Sequence, residues 1–168
     1  MLNLVKYPNR ILRQRSGKVK VKDIPTPGFQ QFLKDLGQTM LKEDGLGLAA
    51  NQLNQDLRAF SVNFKDKPKS FINPFIYYKS FVGETGEEGC LSLPGVFGTV
   101  KRPKKVRLFF RDELGRPRHL VAKGLLARVV LHETDHINGV LIIDRISKYH
   151  VGRKKVQEWK NQARVNEI

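Results

Sequence analysis

His132-Glu-Thr-Asp-His136 sets two imidazoles four residues apart. On a helix, positions i and i+4 share a face, so both rings can meet one metal ion. Glu133 projects about 100° further round such a helix, which suits it to hold a water and exchange a proton rather than to ligate. The surrounding stretch, Leu125 to Ile137, is otherwise mostly apolar. Three unpaired ionisable groups would be costly to bury there, and a metal removes much of that cost. Catalytic sites of this kind use three protein ligands and keep one position open. A His six residues after the second could be the third, but that position is Ile142. A downstream Glu is another possibility, and Glu158 stands beside Trp159 in a basic segment. The strongest third ligand is Cys90, the chain's one cysteine. A lone cysteine forms no intramolecular disulfide, so its sulfur acts as thiol or thiolate. With two imidazoles it makes a tetrahedral site, open to water, that suits Fe(II), Zn(II), Ni(II) or Co(II).

The elements that must position these groups read as α+β. Thr26-Pro27 has the form of an N-cap followed by Pro at the first helical position. Phe29, Phe32, Leu33, Leu36 and Met40 then recur at helical spacing, which predicts an amphipathic helix over 27–42. Strands are expected where Phe60, Val62 and Phe64, and Val106, Leu108 and Phe110, alternate with polar or small residues. A turn at 112–117 leads into a further strand at 118–123. The β-rich run 71–78 contains Pro74, which restricts it to an edge or an interrupted strand. A buried helix spans Leu125 to Ile137 and stops at Gly139. A basic helix over about 148–164 carries Val151, Val156 and Trp159 on its apolar side. The expected fold is a mainly antiparallel sheet wrapped around the central helix that bears the His-Glu-x-x-His motif, with an N-terminal and a C-terminal helix beside it.

Length and composition fit one catalytic domain over residues 1–168: 40% of residues are hydrophobic and 28% charged. The first residues contain no apolar core of a secretory signal, and no apolar run approaches the roughly 18 residues of a spanning helix. A cytoplasmic protein with no membrane association is the expectation. Net charge is +15, from 31 Lys and Arg against 16 Asp and Glu. Residues 1–22 hold seven cations and 101–111 six, with no acid in either stretch. Such clustering points to a polyanionic contact. No repeat, linker or motif specifies an oligomeric state.

Three motifs, in this order and at these separations, resemble those of peptide deformylases: Gly45-Leu-Gly-Leu-Ala-Ala-Asn-Gln52, Glu88-Gly-Cys-Leu-Ser92 and His132-Glu-Thr-Asp-His136. The likeness runs through most of the chain, including Asn73-Pro74 and the basic stretch after Cys90. It implies removal of the formyl group from the N-terminal formyl-methionine of nascent polypeptides. It also implies metal ligation by Cys90, His132 and His136, with Fe(II) the native ion in much of the family. Glu133 then serves as acid/base, and the Gln52 side chain and Leu91 backbone N–H as oxyanion donors. Gly45, Gly47 and Gly89 would let the peptide backbone approach as an added strand. Leu46, Leu125 and Val129 would wall the methionine pocket. A ribosome contact through the basic C-terminal helix, by Arg153, Lys154, Lys155, Lys160 and Arg164, belongs to the same reading.

Several positions depart from the family pattern. Leu131 stands where Gln is common, Asn51 where Pro is frequent, and Phe97 where some members have an Arg that meets the substrate backbone. Arg128 lies among pocket-side positions that are otherwise apolar. Arg102 matches a basic residue after the second motif and is expected to pair with Asp135. Two other readings compete: a zinc endopeptidase with a different third ligand, and a basic RNA- or ribosome-binding protein with a structural metal. The absence of a second cysteine argues against the latter, since structural zinc normally closes with four protein ligands.

Overall fold

The computed structural model describes residues 3–65 and 67–165, with side chains as far as 161. Its strands form two antiparallel sheets. The larger contains β1 (Gly47–Ala49), β2 (Ala59–Phe64), β3 (Lys67–Lys79), β6 (Lys105–Arg111) and β7 (Pro117–Lys123), in the order β1-β2-β3-β6-β7. The smaller contains β4 (Gly83–Gly89), β5 (Phe97–Pro103) and β8 (Lys148–Val151), in the order β4-β5-β8. Helix α1 covers Pro27–Lys42, α2 Gly124–His136 and α3 Arg153–Val165.

Alternation places Phe60, Val62, Leu108, Phe110 and Ala122 on one face of the larger sheet, against Ala127, Val130 and Leu131 of α2. That cluster is the main core. It explains why an apolar helix can carry ionisable residues on its remaining face. Helix α1 lies on the opposite side of the sheet, where Leu33 packs with Ala59 and Ile72. Pro27 opens it as expected, but Thr26 makes no side-chain cap: its hydroxyl donates to the Asp23 carbonyl at 2.6 Å instead.

One strand expectation holds in its second form and one helix expectation needs correction. The run containing Pro74 lies in the middle strand of the larger sheet rather than at an edge. It is interrupted: Asn73 takes a positive φ of 50°, and the register with β6 shifts between Ile72 and Phe75. The Asn73 side chain, no longer bound to the ladder direction, bonds both N–H and C=O of Val19. The predicted helix from 148 begins instead at Arg153. Residues 148–151 form β8, where Val151 pairs with Phe97 and is exposed rather than on an apolar helix face. Gly152, at φ 85°, makes the break, and a Cβ there would strike Gly95 and Val96. Val156 and Trp159 of α3 do pack inward, while the Arg164 side chain lies outside the described residues.

Candidate active site

Helix α2 presents His132, Glu133 and His136 on the side away from the core, and the chain leaving β4 delivers Cys90 to meet them. One donor atom each from Cys90, His132 and His136 lies within 4.8 Å of the other two. Cys90 Sγ is 3.2 Å from His136 Nε2, and His132 Nδ1 is 3.1 Å from Glu88 Oε2, which turns the other ring nitrogen of His132 toward the group. Sulfur and nitrogen bound to one tetrahedral ion stand about 3.5 Å apart, so this donor set fits a single metal. Glu158 is exposed on α3 and outside the group.

Burial and neighbouring charge set the protonation of these groups. Burial, together with the His132 cation, lowers the His136 pKa well below the usual value, favouring the neutral ring that ligation needs. Burial also acts to lower His132, but hydrogen bonds to Cys90 and Glu88 outweigh it and raise it well above the usual value. Glu133 is buried, and desolvation pushes its carboxyl up to about 7. Its Oε2 finds no partner among the described residues.

Gln52 sits in the 3-10 turn Ala50–Leu53 that follows β1. Its Oε1 accepts the Ala49 N–H at 2.9 Å, which turns Nε2 toward Ser92 Oγ (3.1 Å) and Cys90 Sγ (3.7 Å). The amide donor is thus aimed at the sulfur side of the site. Leu91 packs its side chain against Met40 and Leu48. A Cβ on Gly47 would lie 2.5 Å from Glu133 Oε1, so glycine there is a packing requirement. Asn51, at the unusual position, donates from Nδ2 to the His136 carbonyl at 2.6 Å and ties this turn to the end of α2.

Sequence reasoning missed Glu88. Its carboxylate accepts from Arg102 Nε (3.0 Å) and Nη2 (2.9 Å), Arg128 Nη1 (2.8 Å) and His132 Nδ1. Arg102 also pairs with Asp135, as expected, and Asp135 reaches on to Arg145. Nothing in the sequence around Glu88, which lies two residues before Cys90, singles it out, because its partners are distant in the chain. Burial would raise the Glu88 pKa, but the hydrogen bonds from His132 and Arg102 outweigh it and hold the carboxyl well below its usual range. Glu88→Gln is expected to destabilise the fold by about 3 kcal/mol near neutral pH, because it leaves buried cations short of their counter-charge. Since the folded pKa is depressed, that stability is complete above the unfolded value of about 4.3 and is lost as pH falls below it. Denaturant titrations of both proteins should therefore converge in acid; a constant gap would overturn the assignment.

A cleft of about 570 Å³ opens over these groups. Gly45, Leu46, Gly47, Gln52, Gly89, Cys90, Leu91, Leu125, Val129, His132 and Glu133 all line it. Leu46 and Leu125 are more than half exposed, at 52% and 62%, so ordinary core packing does not account for them. Phe97 lies over Gly89, where a Cβ would strike its ring, and Arg128 lies over Gly86 in the same way. Leu131, by contrast, is buried in the core beneath the site.

The Cys-His-His group beside a buried glutamate is an arrangement that could hold a metal ion, as a metal-dependent hydrolase requires. The family model for polypeptide deformylase matches residues 1–151. A peptide deformylase of Prochlorococcus marinus (strain AS9601) is 39% identical, over 99% of this chain and 85% of its own length. One of Thermoanaerobacter pseudethanolicus is 45% identical over 75% of this chain and 79% of its own. Among solved structures, a Synechococcus elongatus peptide deformylase in complex with actinonin superposes with a TM-score of 0.83 at 38% identity, covering 96% of this chain and 85% of that one. The chain belongs to the polypeptide deformylase family and removes the formyl group from formyl-methionyl peptides. No helix among the described residues is long and apolar enough to cross a membrane.

Proposed function

We propose that Cys90, His132 and His136 hold one ferrous ion, and that Glu133, Gln52 and the Leu91 N–H carry out the hydrolysis of the formyl amide. The proximity of the three donor atoms, all within 4.8 Å, is the observation that supports this most directly. A divalent ion there supplies Lewis acidity, polarising the carbonyl and lowering the pKa of a water. Glu133 takes a proton from a water as its oxygen bonds to the formyl carbon, and returns that proton to the methionine nitrogen as the C–N bond breaks, releasing formate and a free amino terminus. Burial raises this carboxyl above the usual carboxylate range and a nearby cation offsets part of that rise, so it can both take up and return a proton. Gln52 Nε2, fixed by the Ala49 N–H, and the Leu91 N–H donate to the oxygen that gains charge. Gly45, Gly47 and Gly89 line the cleft, and the absence of side chains there leaves room for Leu91, Glu133 and Phe97 beside the path of the peptide backbone. Leu46, Leu125 and Val129 enclose the methionine side chain.

Reconstitution of the metal-free protein under anaerobic conditions tests this reading. Ferrous iron should restore turnover of formyl-methionyl peptides, and Ni(II) or Co(II) should substitute. Activity with iron should decay in air as the thiolate oxidises. No turnover with any of these ions, or with Zn(II), would sink it. The protein works in the cytoplasm, and the exposed cations Arg153, Lys154 and Lys160 of α3 suit a salt-sensitive contact with the ribosome. Co-sedimentation unaffected by salt would count against that contact.

A further inference from the structure

We propose that the outward face of β3, β6 and β7 binds single-stranded RNA, its bases stacking on Tyr77, Phe109 and His119. Helix α1 covers only the β2–β3 end of this side of the sheet. Beyond the break at Pro74, Phe75 pairs with Phe109 and Phe109 with His119, which puts a row of rings across three strands. Tyr77 stacks on Phe109 at 4.7 Å between centroids and 23° between planes, and His119 lies 5.4 Å from Phe109. Arg107 sits over the Tyr78 ring at 5.3 Å. Phe75 is 64% exposed and Phe109 53%, a large apolar area to leave facing water.

Charge says what covers it. The three strands contain eight Lys and Arg and no Asp or Glu. Lys105 and Lys123 face each other across the β6–β7 ladder, on the same side as Arg107 and Phe109. Neither they nor Arg107 forms an ion pair among the described residues. A second copy of this chain would set like charges against each other. A partner with both flat apolar faces and a regular negative backbone matches both features, and single-stranded nucleic acid has that chemistry. The face is separate from the cleft, since none of these residues lines it.

Fluorescence anisotropy with a labelled single-stranded RNA of about 12 nucleotides tests the proposal. The triple variant Phe75→Thr, Tyr77→Thr, Phe109→Thr, which keeps strand-forming side chains, should bind about tenfold or more weakly. Its deformylase turnover and the salt dependence of its binding should be unchanged. Arg107→Gln with Lys123→Gln should reduce the salt slope, by about 0.7 per cation removed. Phe109→Trp alone should bind at least as tightly, with its emission quenched by RNA. Undiminished binding by the triple variant would overturn the proposal. So would equal affinity for a duplex, equal competition by anionic vesicles or an acidic peptide, or a larger loss from Arg153→Gln with Lys154→Gln on α3.

Discussion

Replacing Glu133 by Gln is expected to lower kcat by about a thousandfold while leaving metal content and KM near their original values. The substitution keeps the volume of a buried side chain and removes only its ability to take up and return a proton. The base works in its ionised form, so turnover should rise with pH and level off above the carboxyl's pKa, which burial places at about 7. A divalent cation beside it favours the ionised form and moves that rise to lower pH. The variant should lose this limb of the profile altogether. Retention of more than about a tenth of the activity would remove Glu133 from the role, since general acid–base catalysis typically contributes at least a hundredfold.

Cys90→Ser should fail differently. Loss of an outer partner of a metal ligand typically weakens metal affinity by about 10- to 100-fold. Loss of the only sulfur donor should cost more than that, and activity should fall with metal content. Elemental analysis after dialysis separates the two variants: Glu133→Gln keeps its ion and Cys90→Ser does not. Full metal and full turnover in Cys90→Ser would return the third-ligand question to the rest of the chain. The side chain itself contributes little to packing, since Cys90 is only partly buried, at the margin of the cluster formed by Leu12, Leu93 and Leu141, so the variant should still fold and be no less stable than the metal-free parent.

The grouping of Cys90, His132 and His136, which the structure brings together, was legible where one residue type recurs at one spacing. His132 and His136 needed only the helical period, and Cys90 followed because the position that could have supplied a third His is Ile142. Helices α1 and α2 were legible through their apolar faces. Strand β4 was not, because Gly83-Glu-Thr-Gly-Glu-Glu-Gly89 has no hydrophobic alternation; pairing with β5 makes it a strand. Strand β8 was absorbed into the helix after it, since four residues carry too little pattern to outweigh a long basic segment. Glu88 was hidden for a related reason. Its partners Arg102, Arg128 and His132 are 14 to 44 residues away, and only the folded chain shows that one carboxylate serves all three.

Cys90 comes from the end of a strand in the smaller sheet, while both histidines ride on the helix packed against the larger one. An ion gripped by all three is therefore a cross-link between the two sheets as well as a reagent. By mass action, a thousandfold excess of free ion over its dissociation constant adds about 4 kcal/mol to the free energy of unfolding. If the three residues hold the ion as proposed, metal supply would set how long the molecule holds its shape as well as how fast it turns over.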